Sequence, residues 1–276
     1  MNVHETPLMA TVIEIARQAG QAVMTVYRAD DFEVMLKSDQ SPLTQADLAA
    51  HHCIVEGLRR LPQSYPVVSE EDAASHIGSH GDRYWLIDPL DGTREFVARS
   101  DEFTVNIALI DHGQPVLGVV FAPALDLLYC GAVGEVLAGE GAVRIQDGQV
   151  THLQLQAPAV RPSPCRVVAS KNHLNQATRA FIEQLGDTVL VQAGSSLKIC
   201  RVAEGEADIY PRLGPTSEWD TAAAHAVLKA AGGVLVDTQL QPLRYGKTDS
   251  AGQAEILNPS FIAAGALGWV PAAVSL

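Results

Sequence analysis

The stretch Tyr84-Trp85-Leu86-Ile87-Asp88-Pro89-Leu90-Asp91-Gly92-Thr93, YWLIDPLDGT, decides how the chain folds. Its opening apolar run, bounded by Arg83 and Asp88, predicts a strand buried on both faces, as in the middle of an α/β sheet. A proline-fixed turn, a second aspartate and a Gly-Thr pair follow. Thr93-Arg94-Glu95-Phe96-Val97 then has the composition of a helix start, not of a returning strand. Two carboxylates three positions apart at the mouth of a buried strand are costly to leave without positive charge.

Two other places concentrate acid. Ser69-Glu70-Glu71-Asp72 follows the short strand Val67-Val68-Ser69, and Ser217-Glu218-Trp219-Asp220-Thr221 opens the apolar helix expected over ~218–231. Each has a plain structural reading: a solvated loop for the first, a helix capping box for Ser217 and Asp220. Three such blocks together point instead to one shared site. Hard divalent cations such as Mg²⁺ take oxygen ligands in near-octahedral geometry. Two of them about 3.5–4 Å apart can clamp the attacking and leaving oxygens of a phosphoryl displacement. Asp88 and Asp91 are placed to flank such a pair, with the Leu90 carbonyl as a neutral ligand. Gly92 and Thr93 offer N–H groups to a phosphate and a hydroxyl to a water. The covalent alternative, an Asp-x-Asp-x-Thr nucleophile loop, needs one residue between the carboxylates, and DPLDGT has two.

Composition narrows the class further. With 276 residues, 47% hydrophobic and 18% charged, the chain is globular, either one large α/β unit or two subdomains sharing a core. The net charge of −13, from 32 acidic and 19 basic residues, repels nucleic-acid backbones, and no Lys/Arg cluster offsets it. Cys53, Cys130, Cys165 and Cys200 form no C-x-x-C pair and read as reduced thiols. The N-terminal stretch carries Glu5 and Glu14 in place of a basic leader region. The uncharged C-terminal stretch 261–276, with Gly and Pro inside it, is too short to span a bilayer and reads as a buried last strand with a loose tail, at most a weak peripheral membrane contact.

Along the chain, helical spacing is expected over ~7–27 and ~44–60, the second opened by a Thr44/Asp47 capping box. Three β-rich segments over 103–133 suggest an antiparallel meander, punctuated by His112-Gly113-Gln114-Pro115 and Pro123-Ala124-Leu125-Asp126. LQAPAVRPSP (155–164) is the best internal boundary, dividing an N-terminal α+β half (1–155) from a C-terminal α/β half (156–276) in which strands and helices alternate. Gly139-Glu140-Gly141 lacks the rest of a dinucleotide fingerprint.

Glu70-Glu71, Asp88 to Thr93 (D-P-x-D-G-T) and Trp219-Asp220-Thr221-Ala222-Ala223 (W-D-x-A-A) resemble, in order and spacing, the motifs of the inositol monophosphatase superfamily of metal-dependent, lithium-sensitive phosphatases. Within it, VVSEED (67–72), the run 91–123, GSSLK (194–198) and 210–227 look most like the bacterial 3′(2′),5′-bisphosphate nucleotidases. The resemblance implies a layered αβαβα sandwich with two or three Mg²⁺ ions between the halves. It also implies cytoplasmic hydrolysis of adenosine 3′,5′-bisphosphate to AMP in support of sulfate assimilation, including at the cytoplasmic face of the inner membrane. Carried over by position, Glu70, Asp88 and the Leu90 carbonyl would hold one metal, and Asp88, Asp91 and Asp220 the other. Glu70 and Thr93, supported by Asp47, would position the water. Ser170, His173, Ser195, Lys198 and Arg212 would contact substrate beside Glu70, Leu90, Asp91, Gly92, Thr93 and Asp220. SKNH carries Lys171 and Asn172 where the family pattern has Arg-Ser. The same metal site would serve an inositol-1-phosphate or fructose-1,6-bisphosphate phosphatase, or a sensor that binds metal and nucleotide without turnover.

Overall fold

Apolar residues recurring every three or four positions form α1 (Pro7–Tyr27), which buries Met9, Val12, Ala16, Ala19 and Val23. An antiparallel pair, β1 (Val34–Leu36) and β2 (Pro42–Thr44), leads into α2 (Gln45–Arg59). The capping box at its start is formed. Asp47 Oδ2 accepts from the Thr44 N–H at 2.8 Å and hydroxyl at 2.6 Å, while Thr44 Oγ1 accepts from the Ala46 N–H at 3.1 Å. The computed structural model describes residues 2–29, 34–36, 42–78, 80–134, 139–156, 158–169, 175–249 and 254–271.

One sheet then takes seven strands in chain order. They are β3 (Val67–Ser69), β4 (Arg83–Asp91), β5 (Thr104–Asp111), β6 (Gln114–Ala122), β7 (Leu127–Ala132), β8 (Gly141–Gln146) and β9 (Gln149–Leu153), with the one-turn helix α3 (Thr93–Val97) after β4. β3 and β4 are parallel and the other pairs antiparallel. The expected meander is therefore two strands longer than the three segments legible over 103–133. A second sheet follows from β10 (Cys165–Ala169), α4 (Gln176–Gln184), β11 (Thr188–Gln192), α5 (Leu197–Ala203), β12 (Ile209–Arg212), α6 (Glu218–Ala230), β13 (Val234–Asp237), the small pair β14 (Lys247–Thr248) and β15 (Ala254–Glu255), and β16 (Phe261–Ala264). Its order is β11-β10-β12-β16-β13, parallel around β10 and antiparallel around β16.

The YWLI run alternates across β4 as period two demands. Trp85 and Ile87 join the core beneath α1 and α2, whereas Tyr84 and Leu86 join the core shared with α5, α6 and the second sheet. A third core, with Phe181, Ile182, Ile209 and Ile262, lies under α4. The layers are thus α1/α2, first sheet, α5/α6, second sheet, α4: the αβαβα sandwich. Among the described residues no helix is long and apolar enough to cross a membrane.

Three local features differ from expectation. Asp88-Pro89-Leu90-Asp91 is not a turn: β4 continues through it, and the register with β5 shifts between Asp88, opposite Asn106, and Asp91, opposite Thr104. Proline has no N–H for the ladder, so the chain bulges there and re-aims both carboxylates. The tail is not loose as far as Pro271. Trp269 is buried, its indole N–H donates to the Pro158 carbonyl at 3.0 Å, and Arg161 Nη1 donates to the Trp269 carbonyl at 3.1 Å. Residues 272–276 lie outside the described residues.

α6 lies directly on the first sheet because two strand positions lack side chains. A Cβ on Gly118 would sit 2.1 Å from the Ala223 carbonyl oxygen, and one on Gly131 would sit 2.8 Å from the Val227 Cα. Gly118→Val should therefore force α6 outward and lower the unfolding free energy by about 3 kcal/mol. An unshifted urea midpoint would show that the helix yields without cost.

Candidate active site and cation centre

The bulge ends β4 with Asp88 buried inside the sheet and Asp91 at its rim. Asp88 Oδ1 accepts from the Leu90 N–H at 3.1 Å. Gly92 takes φ +89°, a conformation open to glycine, and turns the chain into α3. The Thr93 hydroxyl then lies 3.3 Å from the Leu90 carbonyl and 3.4 Å from Asp47 Oδ1. Asp47 thus spends one oxygen on its own helix cap and presents the other to Thr93.

Asp220 divides its carboxylate in the same way. Its Oδ2 accepts from the Ser217 N–H at 2.8 Å, so the capping reading holds, yet the same side chain faces the other acids. Burial pushes the Asp88 carboxyl well above the ordinary carboxylate range, helped by repulsion from Glu70, Asp91 and Asp220 and by a hydrogen bond with Glu70. Burial likewise raises Asp220, with Asp91 and Glu70 adding to the shift and the Ser217 N–H and Arg212 opposing it. Sequence positions 70, 88, 91 and 220 thus meet in one place, where the end of the first sheet faces the start of α6.

The turn leading into α5 supplies the polar wall. Ser195 Oγ donates to Asp91 Oδ2 at 2.5 Å and contacts Thr104 Oγ1 at 2.6 Å. Ser196 Oγ lies 2.7 Å from the same Asp91 oxygen and 2.8 Å from the Asp220 carbonyl, and accepts from Asn106 Nδ2 at 2.8 Å. Ser195 adopts φ +49°, an uncommon conformation for a residue with a side chain, and the strain is offset by these contacts. Lys198, half-buried, donates from Nζ to the Ser195 carbonyl at 3.1 Å. Burial lowers its pKa, and the nearby Asp91 and Glu95 hold it up against the repulsion of Arg212. Arg212 gives Nη2 to the Pro215 carbonyl at 3.1 Å, while its Nε is buried with no hydrogen-bond partner among the described residues. Asp91, Gly92, Ser195, Lys198, Arg212 and Asp220 all line one cavity.

Thr104, Asn106, Ser196 and Tyr210 belong to this site or its wall, although sequence reading passed over them. Only their neighbours carried a signal: Thr104 and Asn106 sit inside an apolar strand, where a polar residue needs a partner. Ser170 and His173, expected against substrate, lie outside the described residues, as do Lys171 and Asn172.

Does a divalent cation suit these residues? Two carboxyls driven toward neutrality by desolvation and by neighbouring acids are what a hard cation reverses. The oxygen donors on hand are Glu70, Asp88, Asp91, Asp220 and the Leu90 carbonyl, with no sulfur or imidazole among them, a set that fits Mg²⁺. Among the described residues no three His, Cys, Asp or Glu side chains already converge as a closed cage. Their oxygens are spread by hydrogen bonds to Leu90, Ser195, Ser196 and Ser217.

A model of the inositol monophosphatase family matches residues 4–266. The chain belongs to the inositol monophosphatase family. This family member is 46% identical over 256 residues to the 3′(2′),5′-bisphosphate nucleotidase CysQ of Escherichia coli (strain K12), covering 92% of this chain and 98% of that protein. The solved structure of CysQ from Bacteroides thetaiotaomicron, described as a bacterial member of the inositol monophosphatase family, superposes with a TM-score of 0.76 at 38% identity, covering 95% of this chain and 98% of that one. The extragenic suppressor protein suhB from Bartonella henselae, 22% identical with a TM-score of 0.71 over 93% of each chain, shares the fold.

Proposed function

We propose that this family member is a Mg²⁺-dependent phosphomonoesterase that hydrolyses adenosine 3′,5′-bisphosphate to AMP and phosphate in support of sulfate assimilation. The observation that carries the reading is the shared cavity, which is lined both by the carboxylates Asp91 and Asp220 and by two cationic side chains, Lys198 and Arg212. A cavity with both demands suits a substrate bearing two phosphates, one beside the cation centre and one on Lys198 and Arg212. The unpartnered Arg212 N–H and the desolvated Lys198 ammonium support this assignment, since charge-assisted hydrogen bonds to phosphate satisfy both.

In this reading Glu70, Asp88, Asp91, Asp220 and the Leu90 carbonyl hold the Mg²⁺ ions. When bound, these supply Lewis acidity at the phosphoryl oxygens and neutralise developing charge. The chain's own residues do the rest. Thr93 gives its proton toward Asp47 Oδ1 or the Leu90 carbonyl, so its lone pairs are free to accept from the attacking water. Glu70 takes that water's proton as general base. Ser195 and Ser196 hold Asp91 by one oxygen and leave the other for the centre. Lys198 and Arg212 orient the second phosphate and hold the scissile ester in line.

The direct test is phosphate release with Mg²⁺ from adenosine 3′,5′-bisphosphate, inositol-1-phosphate and fructose-1,6-bisphosphate. Preference for the nucleotide supports the proposal; preference for the inositol phosphate or the sugar bisphosphate keeps the site and replaces the substrate; no release from any leaves a cation- and nucleotide-binding sensor. Lys198→Ala should raise KM for the bisphosphate by about 10–100-fold, the equivalent of one charge-assisted hydrogen bond, and raise that for adenosine 3′-monophosphate far less. Equal effects on both would place the second phosphate elsewhere.

A further inference from the structure

The turn that carries Glu70 is clamped on all sides, and one clamp reaches across to the helix that carries Asp220. Ser69, buried, is the hub. Its hydroxyl meets His51 Nδ1 at 2.8 Å, and its N–H donates to Ser75 Oγ at 3.1 Å. The Ser69 carbonyl lies 2.6 Å from His76 Nε2. A carbonyl only accepts, so Nε2 must carry the proton. The same His76 ring stacks on Trp219, with centroids 4.8 Å apart and 29° between planes. Ser69 immediately precedes Glu70, and Trp219 immediately precedes Asp220. His76 itself ends a one-turn helix, Ala73–His76, whose start is capped by Asp72 through the Ala74 N–H at 3.1 Å. Its ring is therefore held by one hydrogen bond at its edge and one stacked face.

We propose that His76 is a positioning residue that sets Glu70 against Asp220, by donating to the Ser69 carbonyl while stacking on Trp219, and thereby tunes the affinity of the cation centre. The inference rests on the cation-centre reading above. Neither contact touches substrate. His76 acts through the backbone of one proposed ligand's neighbour and the side chain of the other's. Groups that orient ligands from outside the ligand shell typically account for about 10–100-fold in metal affinity.

The test compares His76→Ala with His76→Gln, whose side-chain amide can still reach the Ser69 carbonyl. Mn²⁺ binding is followed by loss of the free-ion EPR signal, and Mg²⁺ activation is followed by phosphate release. His76→Ala should weaken Mn²⁺ binding and raise the Mg²⁺ activation constant by about 10–100-fold, with a smaller change in substrate KM. His76→Gln should recover most of that loss. If His76→Ala does not fold, as judged by its melting curve, the Gln variant carries the test: it should bind Mn²⁺ within about tenfold of the parent. Parental affinity in His76→Ala, or a Gln variant that folds yet binds no better than Ala or more than tenfold below the parent, overturns the proposal. Absence of Mn²⁺ binding by the parent chain would instead bring down the cation-centre reading, and this inference with it.

Discussion

Asp91→Asn is expected to cut phosphate release by about three orders of magnitude, a loss of ~4 kcal/mol of transition-state stabilisation. The substitution is close to isosteric. The Asn amide oxygen can still accept from the Ser195 and Ser196 hydroxyls, which now hold Asp91 Oδ2 at 2.5 and 2.7 Å. The wall of α5 therefore stays in place, and what disappears is one negative charge at the rim of β4. Saturating Mg²⁺ should not restore turnover, because the deficit is in the charge that anchors the centre. The measurement is kcat at saturating substrate and Mg²⁺, beside a melting curve that should match the parent's. Parental turnover under those conditions would remove Asp91 from the centre.

Asp88→Asn should likewise abolish activity, yet make the cation-free chain more stable by about 1–2 kcal/mol, seen as a melting temperature a few degrees higher. Asp88 is 1% exposed, and its carboxyl is held above the ordinary range first by burial and then by Glu70, Asp91 and Asp220. A neutral amide removes that repulsion and can keep the 2.8–3.2 Å contact now made with the Leu90 N–H, at 3.1 Å. The effect depends on pH in a definite direction. A carboxyl whose folded pKa exceeds its unfolded one binds more protons when folded. Its contribution is fully present below the ordinary carboxylate pKa and is lost as pH rises through the raised value. The stability gap between Asn variant and parent should thus widen from acid to neutral pH. His51, His80 and His225, lowered by burial, favour folding as pH rises, but they are common to both chains and cancel in the difference. Saturating Mg²⁺ should close or reverse the gap by stabilising the parent through binding. A gap that is absent, or constant with pH and Mg²⁺, would show that Asp88 is not a strained carboxylate held for a cation.

Both predictions come from the same trade. Asp88 is placed where a folded chain would prefer an apolar residue, and its neighbours make matters worse. Burial of that kind is retained at sites whose chemistry needs it.

Much of this was legible in the residues alone. YWLI alternates between two cores because four large apolar residues in a row leave no solvent face for a strand. Thr44 with Asp47, and Ser217 with Asp220, cap their helices because hydrogen-bonding reach is set by three residues of local geometry. Gly92 turns left-handed as D-G-T demands. The two extra strands β8 and β9 escaped notice because their burial pattern is mixed and exposed respectively, without clean alternation. Pro89 reads locally as a turn, but pairing with β5 resumes at Asp91 and carries the strand through it.

Sequence by itself therefore determined the buried central strand, the three acidic blocks and the caps that aim Asp47 and Asp220, since each depends on contacts within one turn or one strand. Tertiary structure alone decided that Ser195 and Ser196 grip Asp91 across more than a hundred residues, that Lys198 is desolvated beside it, that His76 spans Ser69 and Trp219, and that Trp269 docks against Pro158. Such bonds have no period and no spacing. Those that involve α6 depend on Gly118 and Gly131, which let that helix lie directly on the first sheet.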